Sequence, residues 1–335
     1  MLILTGCSNE KRAIITGEII GSNPSGIILF KPYQDFTQDE VIEIPVTDGH
    51  FKYEMQVEEP EAYYLIFKES VEFGSGAMMS FFVEEGKLSL TLFSEAEFAE
   101  NFVTGGSLNK ELHEFTEELE AQEFQSIEEQ LVWRKSYIQR NTNFLSYFLI
   151  LQDLTSGFEI QDLEFYKQAH RKLSAEFPNH SYNEIIRISL AGHAMDVGSK
   201  YVNFSAPDIE GQIVKLSDKI QGKVALINLW ATWCAPCISK SREMVPIVEK
   251  YGKRGFVVVG VAGEFKSTDN LKKFLENNEF PWLNLVELDR ENNLWAKYGI
   301  SRSGGGMFLV DKNGKILLKN PTAAEVEEKL TLLFP

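Results

Sequence analysis

The chain is expected to end in an α/β domain, a central mixed sheet flanked by helices, preceded by an all-β domain and a helical connector. Three observations predict this. Val224 to Trp230 is an apolar run of buried-strand length that breaks into a turn before Ile238 to Tyr251, where apolar and charged residues alternate at helical spacing. Between Lys11 and about Leu92, short β-rich runs are separated by turn signals. Between about Ser107 and Gly198, apolar residues recur three or four apart. The boundaries so read are 1–10 (a leader remnant or tether), 11–104 (an antiparallel β-domain), 105–198 (the helical connector) and 199–335 (the α/β domain).

In the β-domain, Ala13–Ile20, Gly26–Lys31, Glu40–Val46 and His50–Val57 are the first strand candidates. Gly21–Gly26 and Asp48-Gly49 supply the turns between them. Glu61–Lys68, Met78–Val83 and Gly86–Phe93 continue the pattern, which suits a small antiparallel sandwich or barrel. No Cys, clustered His or phosphate loop lies here, so a spacer or docking role is expected rather than catalysis.

In the connector, Leu108, Leu112, Phe115 and Leu119 mark one helical face, and Ile127, Leu131 and Trp133–Tyr137 extend it. Asn141–Asn143 is placed to cap a helix starting near Phe144, whose Phe144–Leu151 run is apolar enough to be buried. Gln161–Phe177 and Glu184–Leu190 read as further helices. Asn179-His180 and Gly192-His193 read as loops without a chemical role.

The chemistry concentrates in the last domain. Cys234-Ala235-Pro236-Cys237 sits where the Val224–Trp230 strand hands over to a helix. A helix N-terminus offers unpaired N–H groups and partial positive charge, which favour a thiolate at Cys234. Pro236 suits the first helical turn, where a missing N–H costs nothing. Two intervening residues let the sulfurs close a disulfide, and Trp233 is placed to shield the first sulfur while leaving it reachable. This reads as a redox dithiol. A zinc ribbon needs a second Cys or His pair, but the remaining cysteine is Cys7 and none of His50, His113, His170, His180 or His193 lies near the motif. A buried structural Cys pair without redox work is the other reading.

The remaining elements are consistent with a parallel βαβ arrangement: a second buried-strand run at Gly255–Ala262, an amphipathic helix at Asp269–Asn278 and a short helix ending at Trp295–Tyr298. Met307–Asp311 and Lys315–Lys319 flank the hairpin turn Asp311–Gly314, and Glu325–Leu333 closes the chain as a helix.

Trp230–Cys237 resembles the active site of the thioredoxin superfamily, in particular the TlpA/ResA-like group of membrane-tethered bacterial thiol–disulfide oxidoreductases. The resemblance covers roughly Val202 to the C-terminus, with Ala206–Asp218 as the family's entry hairpin and short helix. It implies a thioredoxin-like fold and dithiol–disulfide exchange. Three positions depart from the family's pattern. Its cis-proline opposite the dithiol corresponds to Gly305, within Gly304–Gly306; a non-proline cis bond costs about 2.5–4 kcal/mol, so a trans, flexible loop is expected there. Its usual Glu and Pro after the second cysteine correspond to Lys240 and Arg242, two cations expected to favour the thiolate. The buried acid of ordinary thioredoxin corresponds to Asn228, as in TlpA-like members, which leaves only Glu243 and Glu264 as proton-acceptor candidates.

Two diffuse resemblances concern the N-terminal part. Ile15–Glu18 and Asp48–Tyr53 are similar to the uncharacterised β-domain that precedes thioredoxin domains in Bacteroidota lipoproteins. Leu4-Thr5-Gly6-Cys7 resembles a bacterial lipobox, which implies lipidation of Cys7 and a cell-envelope, periplasm-facing protein held to a membrane through lipid alone. The stretch lacks the basic start and full apolar core of a signal peptide.

Composition excludes several classes. A net charge of −16 argues against nucleic acid as a partner. No run of eighteen apolar residues predicts a transmembrane helix, and three cysteines are too few for a disulfide scaffold. No flavin, nicotinamide or metal motif is present, so no cofactor is expected and electrons arrive by thiol exchange. The implied partners are a disulfide-containing exported protein as substrate and a membrane thiol–disulfide reductase as electron donor. A thiol peroxidase fits poorly, since Trp233 and the second cysteine do not match its Thr-x-x-Cys setting. A non-catalytic envelope binding or assembly lipoprotein is the alternative function.

Overall fold

The computed structural model describes residues 11–36, 38–72, 76–156, 160–277, 280–300 and 304–335. Cys7 lies outside them. The chain forms two compact units: residues up to Asp153 together with Gln168–Asn183, and Leu154–Lys167 together with Glu184–Pro335. The helical stretch 105–198, expected as one connector, is divided between the two.

The first unit contains strands β1 (Arg12–Ile20), β2 (Gly26–Phe30), β3 (Ile42–Pro45), β4 (His50–Gln56) and β5 (Glu61–Phe67), then a short helix α1 (Lys68–Glu72). Strands β6 (Met79–Val83), β7 (Gly86–Phe93) and β8 (Phe102–Thr104) follow. They make two four-stranded sheets, ordered β4-β1-β7-β8 and β3-β2-β5-β6. Alternate residues of both, among them Ile15, Leu90, Leu29 and Leu65, share one core, so the unit is a sandwich. The expectation of a purely antiparallel domain needs correction. β1 and β7 pair in parallel, from Ala13 opposite Gly86 to Ile20 opposite Phe93. The chain visits the other sheet between them and returns in its original direction.

The central strands of the second sheet, β2 and β5, are buried on both faces, which explains their near-continuous apolar sequences. Helices α2 (Ser107–Glu120), α3 (Ile127–Arg140) and α4 (Phe144–Thr155) follow the sandwich. From α4, Phe144 and Phe148 each stand 5.3 Å, centroid to centroid, from Phe82. Asn143 caps α4 by accepting from the Ser146 N–H at 2.9 Å. Asn109 of α2 exchanges two 2.8 Å bonds with the Phe82 backbone, occupying the edge of β6 as a neighbouring strand would.

Helices α5 (Leu163–Glu176) and α6 (Tyr182–His193) lead into the second unit. There, β9 (Ser205–Pro207) and β10 (Ile213–Lys215) form the entry hairpin, followed by α7 (Leu216–Ile220). Then come β11 (Val224–Trp230), α8 (Ala235–Tyr251), β12 (Phe256–Glu264), α9 (Asp269–Asn277), β13 (Leu283–Leu288), α10 (Leu294–Lys297), β14 (Gly306–Val310), β15 (Ile316–Lys319) and α11 (Ala323–Leu333). The sheet order is β13-β12-β11-β14-β15, with the first three strands parallel and the last two antiparallel. Every residue of β11 is buried, and separate apolar cores cover its two faces. Asp311 accepts from the N–H groups of Asn313 and Lys315 at 2.8 and 2.9 Å, closing the β14–β15 turn as expected. Thr322 and Glu325 form a capping box on α11. Among the described residues no helix is long and apolar enough to cross a membrane.

Gly192-His193 is not a loop but the last turn of α6. A Cβ at Gly192 would stand 2.2 Å from the Ala296 carbonyl oxygen and 2.8 Å from the Gly299 nitrogen, so α6 meets the end of α10 backbone to backbone. Substituting Gly192→Ala should therefore lower stability by about 1–3 kcal/mol, despite alanine's better helix propensity. Thermal unfolding checks this, with Gly304→Ala as control, because a Cβ at Gly304 meets nothing within 4 Å.

Candidate active site

The site begins where β11 ends. The Trp230 indole N–H donates to Asn284 Oδ1 at 3.0 Å, anchoring the last strand residue to β13. A Cβ at Gly260 would stand 2.1 Å from that same oxygen, so the neighbouring strand must be bare there. Beyond Trp230 the turn is strapped to the end of β12. Thr232 donates its backbone N–H and its hydroxyl to the two Glu264 carboxylate oxygens at 2.8 and 2.7 Å, and the Trp233 indole N–H donates to the Gly263 carbonyl at 2.9 Å.

Cys234 follows as the N-cap residue of α8, its carbonyl accepting from the Ile238 N–H at 3.1 Å. Pro236 lies in the first helical turn beside Ala235, and Cys237 ends that turn. Cys234 and Cys237 are joined in a disulfide with Cα atoms 5.3 Å apart. Both are nearly buried, at 6% and 8% exposure, whereas Trp233 is 44% exposed. Its ring centroid lies 5.9 Å from that of Phe265 and 5.8 Å from that of Trp295. Both cysteines open into a pocket of about 370 Å³ lined also by Trp233, Lys240, Asn228 and Gly304–Gly306.

Gly305 stands against the dithiol. A Cβ there would lie 2.6 Å from Cys237 Sγ and 2.4 Å from the Leu229 carbonyl oxygen. No peptide bond among the described residues is cis. Asn228 donates from Nδ2 to the Ser241 hydroxyl at 2.8 Å, while its Oδ1 is buried without a partner. Of the two acid candidates, Glu243 is exposed and does not line the pocket. Glu264 does not line it either: it is 3% exposed and holds the turn from behind. Burial pushes its carboxyl above the usual range, partly offset by the two Thr232 hydrogen bonds. Nothing in the sequence pattern pairs Thr232 with Glu264 beyond an acid two residues past the Gly255–Ala262 strand run.

Residues 197–319 match the AhpC/TSA family, and residues 13–112 match a domain of unknown function, DUF4369. The thiol-disulfide oxidoreductase ResA of Bacillus thuringiensis is 29% identical over 147 residues, 42% of this chain and 80% of the relative. The ResA of Geobacillus thermodenitrificans is 32% identical over 148 residues, with the same coverage. The chain belongs to the ResA-type thiol-disulfide oxidoreductases. In this oxidoreductase the AhpC/TSA match lies in the second unit, and thiol–disulfide exchange is its activity. A solved thioredoxin domain of a thiol-disulfide oxidoreductase from Bacteroides vulgatus is 22% identical, with a TM-score of 0.39 over 42% of this chain and 100% of that one.

The raised pKa of Glu264 has a definite sign in stability. The folded protein keeps this proton to higher pH than the unfolded chain does. The resulting stabilisation is complete below the unfolded value and is lost as pH rises through the folded one. Glu264→Gln carries no such titration, and Glu287, also raised by burial, is common to both proteins. Urea unfolding at pH 5 and pH 8 should show the variant gaining on the wild type as pH rises; parallel pH profiles would exclude the effect.

Proposed function

We propose that Cys234 and Cys237 carry the exchange, with Cys234 as the attacking sulfur. The observation that carries this reading is a disulfide at a helix N-terminus opening into a pocket. Unpaired N–H groups of the first turn of α8 favour a Cys234 thiolate once the pair is reduced. The thiolate attacks one sulfur of a substrate disulfide, whose S–S bond breaks and releases one substrate thiolate. Cys237 then loses its proton and attacks Cys234 Sγ, breaking the mixed disulfide and freeing the second substrate sulfur. Two electrons pass to the substrate, and Cys234–Cys237 is left oxidised. Trp233, Ala235, Pro236 and Gly305 shape the approach to the sulfurs, and no cofactor or metal takes part. Regeneration needs a dithiol donor, for which a membrane thiol–disulfide reductase is the fitting partner.

The substrate is a disulfide of an exported protein, and the setting is the periplasm-facing cell envelope. Lipidation at Cys7 tethers the protein to a membrane. The support for this is the lipobox-like Leu4–Cys7 together with an activity that belongs in an oxidising compartment. The β-sandwich serves as a spacer or docking unit.

In an insulin-reduction assay, Cys234→Ser should lose activity by about a thousandfold or more, while Cys237→Ser should accumulate a covalent mixed disulfide with substrate, visible by non-reducing mass analysis. The wild-type pair, followed by Trp fluorescence in a dithiothreitol redox buffer, should titrate as a two-electron couple near or below about −240 mV; a value near about −120 mV would instead mark an oxidant. Cys7→Ala in the full-length precursor should abolish fatty-acid incorporation and move the protein from the membrane to the soluble fraction.

A further inference from the structure

The pocket beside the disulfide has an unusual charge. Its described lining comprises backbone and glycine, apolar side chains, the amides of Asn228 and Asn320, the two cysteines and one ionic group, Lys240. Lys240 lies three residues after Cys237 on α8, which puts both on one face of the helix. It is exposed, and no carboxylate pairs with it among the described residues. Among the described residues no acidic side chain lines the pocket. An uncompensated cation therefore stands where the residues flanking a substrate disulfide must enter, in a chain whose net charge is −16.

We propose that Lys240 is a specificity-determining residue that selects disulfides flanked by carboxylate side chains. This deepens the assignment of exchange to Cys234 and Cys237 and rests on it. Two electrostatic effects of Lys240 must be separated. A cation near the dithiol stabilises a thiolate, and that changes the rate with every disulfide alike. Attraction of a substrate carboxylate, by contrast, depends on the charge of the substrate. The ratio of rates among substrates of different charge isolates the second effect. The overall acidity of the chain acts in the opposite direction, since it repels anions at long range. A preference for anionic disulfides must therefore come from local positive charge, and substitution of Lys240 separates its contribution from that of the α8 N-terminus. A Cβ at Gly304 would meet nothing within 4 Å, so the wall is open at that residue, whereas Gly305 packs against Cys237 Sγ.

The test uses reduced full-length protein and three small disulfides: dithiodipropionate (anionic), hydroxyethyl disulfide (neutral) and cystamine (cationic). Each rate, read by stopped-flow Trp fluorescence at low ionic strength, is divided by that of free 2-mercaptoethanol with the same disulfide. The normalised rate should be higher for the anion than for the cation by about three- to tenfold, a range that exposed ion pairs permit. In about 1 M salt, where the Debye length falls to about 3 Å, the ratio should collapse towards one. Lys240→Gln should flatten the order, Lys240→Glu should invert it, and Lys240→Arg should retain it. An unchanged order in Lys240→Gln, or a wild-type preference for cystamine, overturns the proposal. Failure to react even with the neutral disulfide overturns the dithiol assignment itself, and the neutral arm keeps the two failures apart.

Discussion

The second unit depends on how the buried strand β11 lets go of the sheet. All of its residues are buried, so its backbone bonds are spent on β12 and β14. The turn that follows must find other partners, because an unpaired buried polar group costs about 1–3 kcal/mol. Parallel pairing puts Trp230 level with Ala262, and the next residues of β12 are Gly263 and Glu264. These two accept every side-chain donor of the turn, Thr232 by its hydroxyl and Trp233 by its indole, as well as the Thr232 N–H. The register of the sheet thus fixes where Cys234 begins its helix. The same bonds explain how a carboxylate tolerates such burial: each Glu264 oxygen receives a donor, and what remains of the desolvation cost appears as a raised pKa.

Glycines complete the arrangement by allowing close approach at three points. Gly260 clears the Trp230–Asn284 bond, Gly263 accommodates the Trp295 ring, and Gly305 lets the backbone lie against Cys237 Sγ. A Cβ at Gly263 would stand 2.8 Å from that ring. None of the three has a left-handed φ, so their value lies in absent volume, not in backbone freedom. The dithiol is consequently packed against main chain on one side and reached from the pocket on the other.

Much of this was legible in the sequence because it is local. Val224–Trp230 announces a doubly buried strand by composition, and Cys234–Cys237 announces its chemistry by spacing and by the turn that holds it. The β-rich runs and the cap at Asn143 rest on the same kind of signal. What was not legible is what only tertiary structure creates. A strand pattern carries no direction, so nothing in Ala13–Ile20 or Gly86–Phe93 foretold parallel pairing. Gly192 reads as a loop until its helix and the backbone of Gly299 against it are seen. Glu264, a lone acid after an apolar run, looks like a solvated strand end until Thr232 is brought to it.

The electrostatics of the dithiol follow from distance more than from the charge of the whole chain. At physiological ionic strength the Debye length is about 8 Å, so most of the acidic surface is screened from the sulfurs. The charged and polar groups that line the pocket among the described residues are a cation, two amides and the N-terminal turn of α8. Asn228 adds a further asymmetry. Its Oδ1 is a buried acceptor without a donor while the cysteines are joined, and it lines the same pocket as Cys237. Asn228 is a neutral amide, so it places no second negative charge in the pocket beside a thiolate. An aspartate at the same position would hold a proton or a charge of its own, coupling its titration to that of the cysteines. The amide removes that coupling and leaves the helix terminus and Lys240 as the fixed influences on the attacking sulfur.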